Sequence, residues 1–216
     1  MARKVEAHLH ALSHYLPEGA LPRVLDYLQQ YKVHLTITLP RQTVLGDYRH
    51  PDDYSGHRIS INGNLNPYEF LITLLHELAH LIVFIQYGNR VETHGTEWQA
   101  VYARLLKEFM ALQIFPNDIV HVLNQTLQRP AATKAGEQAL ARVLRKYNPH
   151  KDGLVLIEEL QQGEWFTAED GKLYERGPKL RTRYKCKQLD TGREYLFHAL
   201  YEVKRWKGNK HREQEK

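Results

Sequence analysis

The segment from Asn66 to Tyr87 is apolar on almost every side of a helical wheel, which predicts a long helix buried in the core. It opens with the sequence N-P-Y-E, which combines an N-cap residue, a proline at the first helical position and a glutamate three residues after the cap. Gly88 and Asn89 follow, and both residue types accept the left-handed backbone that ends helices. The pattern therefore indicates where this helix begins and ends.

Three short segments before this helix are candidate strands, and the first of them alternates apolar and polar residues and is rich in β-branched side chains. They cover residues 33–39, 43–48 and 57–62. Two helices are expected before them, over residues 3–15 and 21–31, because apolar residues recur there at helical spacing. Strands that directly precede a buried helix predict a small three-stranded sheet packed beside it, and so an α+β fold.

The apolar pattern after the buried helix has two parts. Helical spacing first continues over residues 95–111, 114–127 and 136–147. Beyond Leu154 the apolar runs become short and are separated by glycines, which predicts strands. The expected strands lie at residues 165–166, 173–174, 182–187 and 195–197.

These changes divide the chain into four expected parts. They are a mainly helical domain over residues 1–128, a linker helix within 129–150, a small all-β module over 151–206 and a disordered polar tail over 207–216.

The buried helix contains the sequence H-E-L-A-H at residues 76–80. Histidines at i and i+4 lie on one helical face, so His76 and His80 can bind the same metal ion. Glu77 lies one step round the helix, where it can reach a water on that metal and act as a general base. The alternative is a pair of core histidines hydrogen-bonded to the backbone. A metal is favoured because it supplies partners for polar groups in a buried helix.

A zinc site of the catalytic type uses three protein ligands and a water, so a third ligand is expected. His94 stands at the start of the next predicted helix, where its side chain can point back at the first two histidines. Glu92 is the competing ligand, because some zinc peptidases complete the site with a carboxylate. A water in place of a third side chain is the remaining alternative.

The composition is that of a globular protein, with 42% hydrophobic and 25% charged residues. The His-Glu-His cluster interrupts the longest apolar run, and the N-terminus lacks the pattern of a signal peptide. No membrane association is therefore expected, and the cytoplasm is the expected location. The single cysteine, Cys186, excludes an internal disulfide framework and a four-cysteine zinc site.

Positive charge is concentrated near the C-terminus. The net charge is +5 at pH 7, and after residue 171 Lys and Arg outnumber Asp and Glu more than twofold. Five residues here are candidates for binding nucleic acid, with cations for phosphates and one ring for a base: Lys179, Arg181, Arg183, Tyr184 and Lys185. A solvated strand edge that guards against aggregation explains the same residues equally well.

Several short segments together resemble one known family. They are L-G at residues 45–46, I-S-I-N at 59–62, N-L-N-P at 64–67, H-E-L-A-H at 76–80 and H-G-T-E-W at 94–98. This set resembles the SprT-like zinc metallopeptidases, which include the SprT and Spartan proteins and likewise join H-E-x-x-H to a distant H-G-x-E-aromatic segment.

The resemblance implies a zincin-like peptidase domain in which His76, His80 and His94 hold one zinc ion and Glu77 is the catalytic acid/base. It also implies protein or peptide substrates, with proteins bound or crosslinked to DNA among them. Many family members carry a four-cysteine zinc ribbon after this domain. Only Cys186 stands there in this chain, so the β module is expected to be at most a degenerate ribbon without metal.

Two other functions fit the same residues. Three histidines can also activate water against phosphodiesters in a nuclease, although a glutamate directly after the first histidine favours peptide hydrolysis. A non-catalytic protein with structural zinc is the second alternative, but such a closed site has no need of Glu77 as a base. Tyr87 and Tyr102 are candidate donors to the oxyanion, and both also suit ordinary amphipathic packing.

Overall fold

The computed structural model describes residues 9–41, 43–127, 134–149 and 153–208, and it divides the chain into two compact units. The first unit ends at Asn148 and the second begins at Pro149. The first unit combines helices with a small sheet, so the chain is α+β as expected. Its helices are α1 (Leu21–Gln30), α2 (Pro67–Tyr87), α3 (Thr96–Ala111), α4 (Asn117–Leu127) and α5 (Lys134–Arg145), and its strands are β1 (His34–Thr38), β2 (Gly46–Arg49) and β3 (Arg58–Asn62).

The three-stranded sheet has the order β1-β3-β2, with β1 parallel and β2 antiparallel to the central strand β3. Ile59 and Ile61 of β3 point to the same face and are at most 1% exposed, because α2 covers that face. The strand β2 forms one edge of the sheet and packs directly beside α2. It is shorter than the strand predicted at residues 43–48 and begins at Gly46.

Helix α2 is the core of the first unit. The Asn66 side chain accepts a hydrogen bond from the Glu69 backbone N–H at 3.0 Å, and Gly88 ends the helix with a φ of 63°. Its length and its mean hydropathy of 1.6 would also suit a membrane span, but 61% of that apolar stretch is buried inside the unit. Burial of this extent is typical of a core helix.

Helix α5 is packed into the first unit, which corrects the expectation of a linker helix within residues 129–150. Leu144 is 4% exposed and belongs to the same core as α2, because the amphipathic helix buries its apolar side there. The side-chain amide of Asn66 also donates to the Leu144 carbonyl at 3.0 Å. The loop predicted at residues 129–133 lies outside the described residues.

The start of the chain differs from the helix predicted over residues 3–15. The described part of that segment is a 3-10 helix over Leu9–Tyr15, and residues 1–8 lie outside the described residues. Leu12 and Leu16 are at most 5% exposed and bind this segment to the core of the first unit.

The second unit is an all-β module, as the glycine-separated apolar runs predict. Its sheet is antiparallel with the order β4-β9-β5-β6-β7-β8. Two of its strands, the first and the last, do not follow from the sequence pattern. The strands are β4 (Leu154–Leu156), β5 (Trp165–Thr167), β6 (Leu173–Lys179), β7 (Arg183–Gln188), β8 (Glu194–His198) and β9 (Glu202–Arg205). Most of the predicted tail, residues 209–216, lies outside the described residues.

Candidate metal centre

The imidazoles of His76, His80 and His94 converge on one point at the surface of α2. His76 and His80 are one turn apart on the helix, and their Nε2 atoms are 3.1 Å apart. His94 stands just before α3, and its Nε2 lies 3.3 Å from Nε2 of His76. Among the described residues these three form the one cluster of histidine, cysteine or acidic side chains whose ligand atoms converge, all within 4.8 Å of one another.

These distances fit a metal better than they fit hydrogen bonds. An imidazole nitrogen offers either one N–H or one lone pair in the ring plane, so Nε2 of His76 cannot make good hydrogen bonds to both neighbours at once. Zn–N bonds of 2.0–2.1 Å in a tetrahedron hold two ligand nitrogens about 3.3 Å apart. The separations of 3.1 and 3.3 Å from His76 to its two neighbours agree with that value, and the third separation lies within 4.8 Å. The histidines can therefore hold a metal ion of this size without moving far.

An aromatic wall fixes the orientation of the three imidazoles. The Trp98 ring is 3% exposed, and its centroid lies 4.7, 5.3 and 4.6 Å from those of His76, His80 and His94. Tyr102, one turn further along α3, stacks on Trp98 at 4.8 Å. Rings packed on this wall keep their nitrogens convergent, which lowers the entropy lost when a metal binds.

The loop that carries His94 is held by backbone contacts. The Gln99 side chain donates to the His94 carbonyl at 3.0 Å, and the Gly95 N–H donates to the Glu92 carbonyl at 3.0 Å. His94 itself is exposed, so these contacts replace burial in positioning its ring. Glu92, the alternative ligand from the sequence, is exposed and lies outside the histidine cluster.

The electrostatics of the site suit neutral imidazole ligands. Burial, together with the positive charge of the neighbouring imidazoles, lowers the pKa of His76 to about 3 and that of His80 to about 4. Both rings are therefore unprotonated at pH 7. A metal binds the unprotonated nitrogen, so protons compete for these two ligands only in acid.

Glu77 points to the other side of the helix turn, towards β2. It is 7% exposed, and this burial, aided by the negative charge of Asp47, raises its pKa to about 7. The backbone N–H of Tyr48 donates to the carboxylate and, with the charge of Arg41, opposes the rise. A carboxylate with a pKa near 7 can both accept and return a proton at neutral pH.

Gly46 at the start of β2 leaves room for this carboxylate. A Cβ on Gly46 would lie 2.7 Å from Oε1 of Glu77 and 2.7 Å from Cγ2 of Thr73. Any other residue there would displace the carboxylate or the strand. Gly46 belongs to the L-G pair of the resemblance, but the alternation of the strand gave no indication of this contact, which depends on how β2 packs on α2.

Two clefts flank the histidine cluster and share Gly46, His76 and Glu77 as lining residues. The first, which we name the α5 cleft, has a volume of about 370 Å³ and runs between β2, α2, α3 and α5. The second, the loop cleft, has a volume of about 540 Å³ and extends past His80 to Gly88, Glu92 and Thr93. Open clefts therefore lie on both sides of the candidate metal centre.

The two tyrosines considered from the sequence differ in position. Tyr102 lines the α5 cleft together with His76 and Glu77. Burial, with the nearby charge of Glu77, raises the pKa of Tyr102, so its hydroxyl keeps its proton. Tyr87 is 38% exposed and lines neither cleft. Of the two, only Tyr102 faces the site.

The basic residues considered for nucleic acid lie in the hairpin of β6 and β7 in the second unit. Lys179, Arg181 and Arg183 are exposed, whereas Lys185 pairs with Glu194 at 2.7 Å. The expectation for Tyr184 is wrong in one respect. Its ring is 4% exposed and packs in the core of the unit under the guanidinium of Arg176 at 4.2 Å, so it is not available to stack on a base.

Comparison with known proteins gives one family. The SprT-like family model matches residues 23–121, which end before α5. The chain is 32% identical to Protein SprT of Yersinia pestis over 100 residues, which are 43% of this chain and 58% of that protein. Protein SprT of Actinobacillus succinogenes is 51% identical over 43 residues, which are 19% of this chain and 25% of that protein. The chain thus spans less than two thirds of these relatives, and no solved structure matches it.

Proposed function

This chain belongs to the SprT-like family through residues 23–121, and we propose that it is a zinc-dependent metallopeptidase. The observation that carries the proposal is the convergence of His76, His80 and His94 directly beside the buried carboxylate of Glu77. A helix that carries H-E-x-x-H beneath an edge strand also supports a zincin-like fold for the first unit. A zinc ion held there would polarise the scissile carbonyl and lower the pKa of a bound water to about 7.

Glu77 is the general base and then the general acid. Its carboxylate takes a proton from the attacking water and delivers it to the nitrogen of the leaving amine. The backbone N–H of Tyr48 orients the carboxylate, and the absence of a side chain at Gly46 lets it approach the site. Tyr102 keeps its proton and faces the α5 cleft, so we assign it as the donor to the oxyanion.

The free edge of β2 supports an extended peptide as the substrate. Tyr48 directs its backbone N–H away from β3 and towards Glu77, so this side of β2 has no neighbouring strand. An extended peptide can add to such an edge through main-chain hydrogen bonds, which require no particular sequence. The same alignment would carry its backbone past the histidines.

The test compares the wild type with Glu77→Gln, each loaded with zinc, on casein and on RNA. We expect casein cleavage by the wild type, a loss of about 100-fold or more in Glu77→Gln, and equal zinc content in the two proteins. Strong cleavage by Glu77→Gln would contradict the role of the base. Cleavage of RNA but not of casein would favour the nuclease. Cleavage of neither substrate by the zinc-bound protein would favour a structural zinc site.

We also propose that substrates include DNA-bound proteins, with the second unit contacting the phosphates. The support is the exposed group of Lys179, Arg181 and Arg183 at the tip of the β6–β7 hairpin. Three phosphate contacts to single-stranded DNA predict a slope of about −2 in log K against log salt. Anisotropy with a labelled oligonucleotide measures this slope, and the triple alanine variant should lose it. Binding that is absent at low salt, or insensitive to salt, would rule the contact out.

A further inference from the structure

The α5 cleft has an outer wall that the family match does not include. Four residues of α5 line it, namely Glu137, Leu140, Ala141 and Leu144, and the matched residues end at 121. The opposite wall is formed by Val44, Leu45 and Gly46. Because α5 belongs to the compact first unit, this wall is packed on the core of that unit.

The lining of the α5 cleft combines apolar side chains with the polar Thr73, His76 and Tyr102 and with carboxylates. Apolar surface comes from Leu45, Ile72 and Leu140, and none of the lining residues is Lys or Arg. Glu69 is partly buried in the wall, and Glu137 is exposed at the rim. Among the described residues neither carboxylate receives a side-chain hydrogen bond or an ion pair, so Glu69 and Glu137 line the cleft without a cationic partner.

Of the two carboxylates, Glu69 is the more buried, so its charged form loses more of its hydration. Its burial raises its pKa, which means that the surroundings penalise the charged form. A cation at the cleft would remove that penalty through a charge-assisted hydrogen bond. A neutral apolar side chain in the cleft would instead exclude water from Glu69 without replacing the lost hydrogen bonds.

We propose that the α5 cleft is a specificity pocket that binds a lysine or arginine side chain of the substrate next to the bond that is cleaved. The aliphatic part of that side chain lies against Leu45, Ile72 and Leu140, and its cation meets Glu69 and Glu137. The pocket adjoins Glu77, so its occupant must be a residue that flanks the reacting peptide bond. This inference rests on the proposed function.

Binding can be measured apart from cleavage. Zinc-loaded Glu77→Gln is mixed with labelled peptides that are identical except for one central Lys, Leu or Glu, and anisotropy gives each Kd. We expect the Lys peptide to bind at least about tenfold more tightly than the Leu peptide, because one charge-assisted hydrogen bond contributes that much. The Glu peptide should bind most weakly.

Matched substitutions test whether the preference for the Lys peptide arises in the α5 cleft. Adding Glu69→Gln and Glu137→Gln should reduce the Lys-over-Leu ratio to about twofold or less, since the amides keep the shape and remove the charges. Adding Glu18→Gln, an exposed carboxylate that lines neither cleft, should leave the ratio unchanged. Ala141→Met, which narrows the cleft from α5, should weaken the Lys peptide without lowering the Tm by more than a few degrees.

Two results would overturn the proposed specificity pocket. They are equal affinities for the three peptides, and a preference for the Lys peptide that remains after Glu69→Gln and Glu137→Gln. Cleavage by the wild-type protein is then scored separately on the same peptides. A chain that binds the Lys peptide selectively and cleaves none would contradict the peptidase but keep the pocket. A chain that cleaves all three with equal kcat/KM would keep the peptidase and overturn the pocket.

Discussion

Asn66 and Asn148, 82 residues apart in the chain, are joined by a hydrogen bond of 2.7 Å from the Nδ2 of Asn66 to the Oδ1 of Asn148. The same nitrogen donates to the Leu144 carbonyl at the end of α5, while Oδ1 of Asn66 caps α2 through the Glu69 N–H. One side chain, 2% exposed, thus both begins the helix that carries the metal ligands and holds the helix that closes the α5 cleft.

Substitutions at Asn66 should separate these two roles. Asn66→Asp keeps an acceptor for the cap but replaces the donor nitrogen with an oxygen that faces two acceptors, so we expect a loss of about 1–3 kcal/mol in unfolding free energy. Asn66→Ala loses the cap as well and should cost about 1 kcal/mol more. Urea denaturation measures both, with Asn148→Ala as the variant that removes only the hydrogen bond to Asn148. Equal stability of Asn66→Asp and the wild type would show that the two hydrogen bonds donated by Nδ2 of Asn66 contribute nothing.

Gly46→Ala should impair activity more than stability. The new Cβ would meet Glu77 and Thr73 at 2.7 Å, and relief of that contact by moving the strand or the carboxylate should cost about 1–3 kcal/mol. A displacement of the base by about 1 Å lowers the rate about 100-fold. The readouts are kcat/KM on a peptide and the Tm.

Two further variants control for the substitution at Gly46. Gly56→Ala adds the same methyl group where the nearest atom is the Lys32 carbonyl oxygen at 4.0 Å, so it should be nearly silent. Thr73→Ser combined with Gly46→Ala removes one of the two atoms that would lie at 2.7 Å and should restore part of the activity. Full activity in Gly46→Ala would show that Glu77 does not need this space.

The sequence indicates local chemistry well and long-range packing poorly. The H-E-x-x-H helix, its cap at Asn66 and its end at Gly88 all follow from residues adjacent in the chain, and the structure has that helix within one residue of its predicted ends. The contact of Gly46 with Glu77 and the tie from Asn66 to Asn148 join distant segments. Neither of these two contacts produces a periodic pattern in the sequence, so both become visible only in the folded chain.

The same distinction explains the errors. Helix α5 has an amphipathic pattern, which the sequence reveals, but the pattern does not say which surface covers its apolar side, and a linker was expected. Tyr184 lies within a run of cations, which suggests exposure, yet strand alternation turns its ring inward together with Cys186. The alternation of side chains within β7 predicts the burial of Tyr184, whereas the charge of its neighbours suggests that it is exposed.

His94 should be required for tight metal binding. A ligand that binds the folded state alone stabilises it by about 2.7 kcal/mol at 100 times its Kd. Loss of a ligand should weaken binding at least as much as loss of an outer-shell partner, about 100-fold, so at the same zinc concentration His94→Ala should gain only about 0.4 kcal/mol. Thermal unfolding with zinc and with a chelator measures the gain.

The controls for His94 are another exposed histidine and the competing ligand. His121→Ala, which removes an imidazole outside the cluster, should keep the full stabilisation by zinc. Glu92→Gln should keep it as well. A loss in Glu92→Gln together with full stabilisation in His94→Ala would assign the third ligand to the carboxylate.

The buried carboxylate of Glu77 should make the metal-free protein less stable as the pH rises. Its pKa is raised from an ordinary 4.5 to about 7, so between these values the folded state holds a proton that the unfolded state has lost. Stability from this proton is present below pH 4.5 and is lost as the pH rises through 7. In Glu77→Gln the corresponding group is neutral at every pH.

The unfolding free energy of Glu77→Gln minus that of the wild type should therefore be near zero at pH 4 and should grow through pH 7 to at most about 3 kcal/mol. Urea denaturation with a chelator at each pH measures the difference, and the low-pH points serve as the internal control. Added zinc should reduce the difference at pH 7.5, because a nearby cation favours the ionised carboxylate. A difference that is constant with pH, or that shrinks as the pH rises, would mean that Glu77 is not buried beside the site as a proton-accepting group.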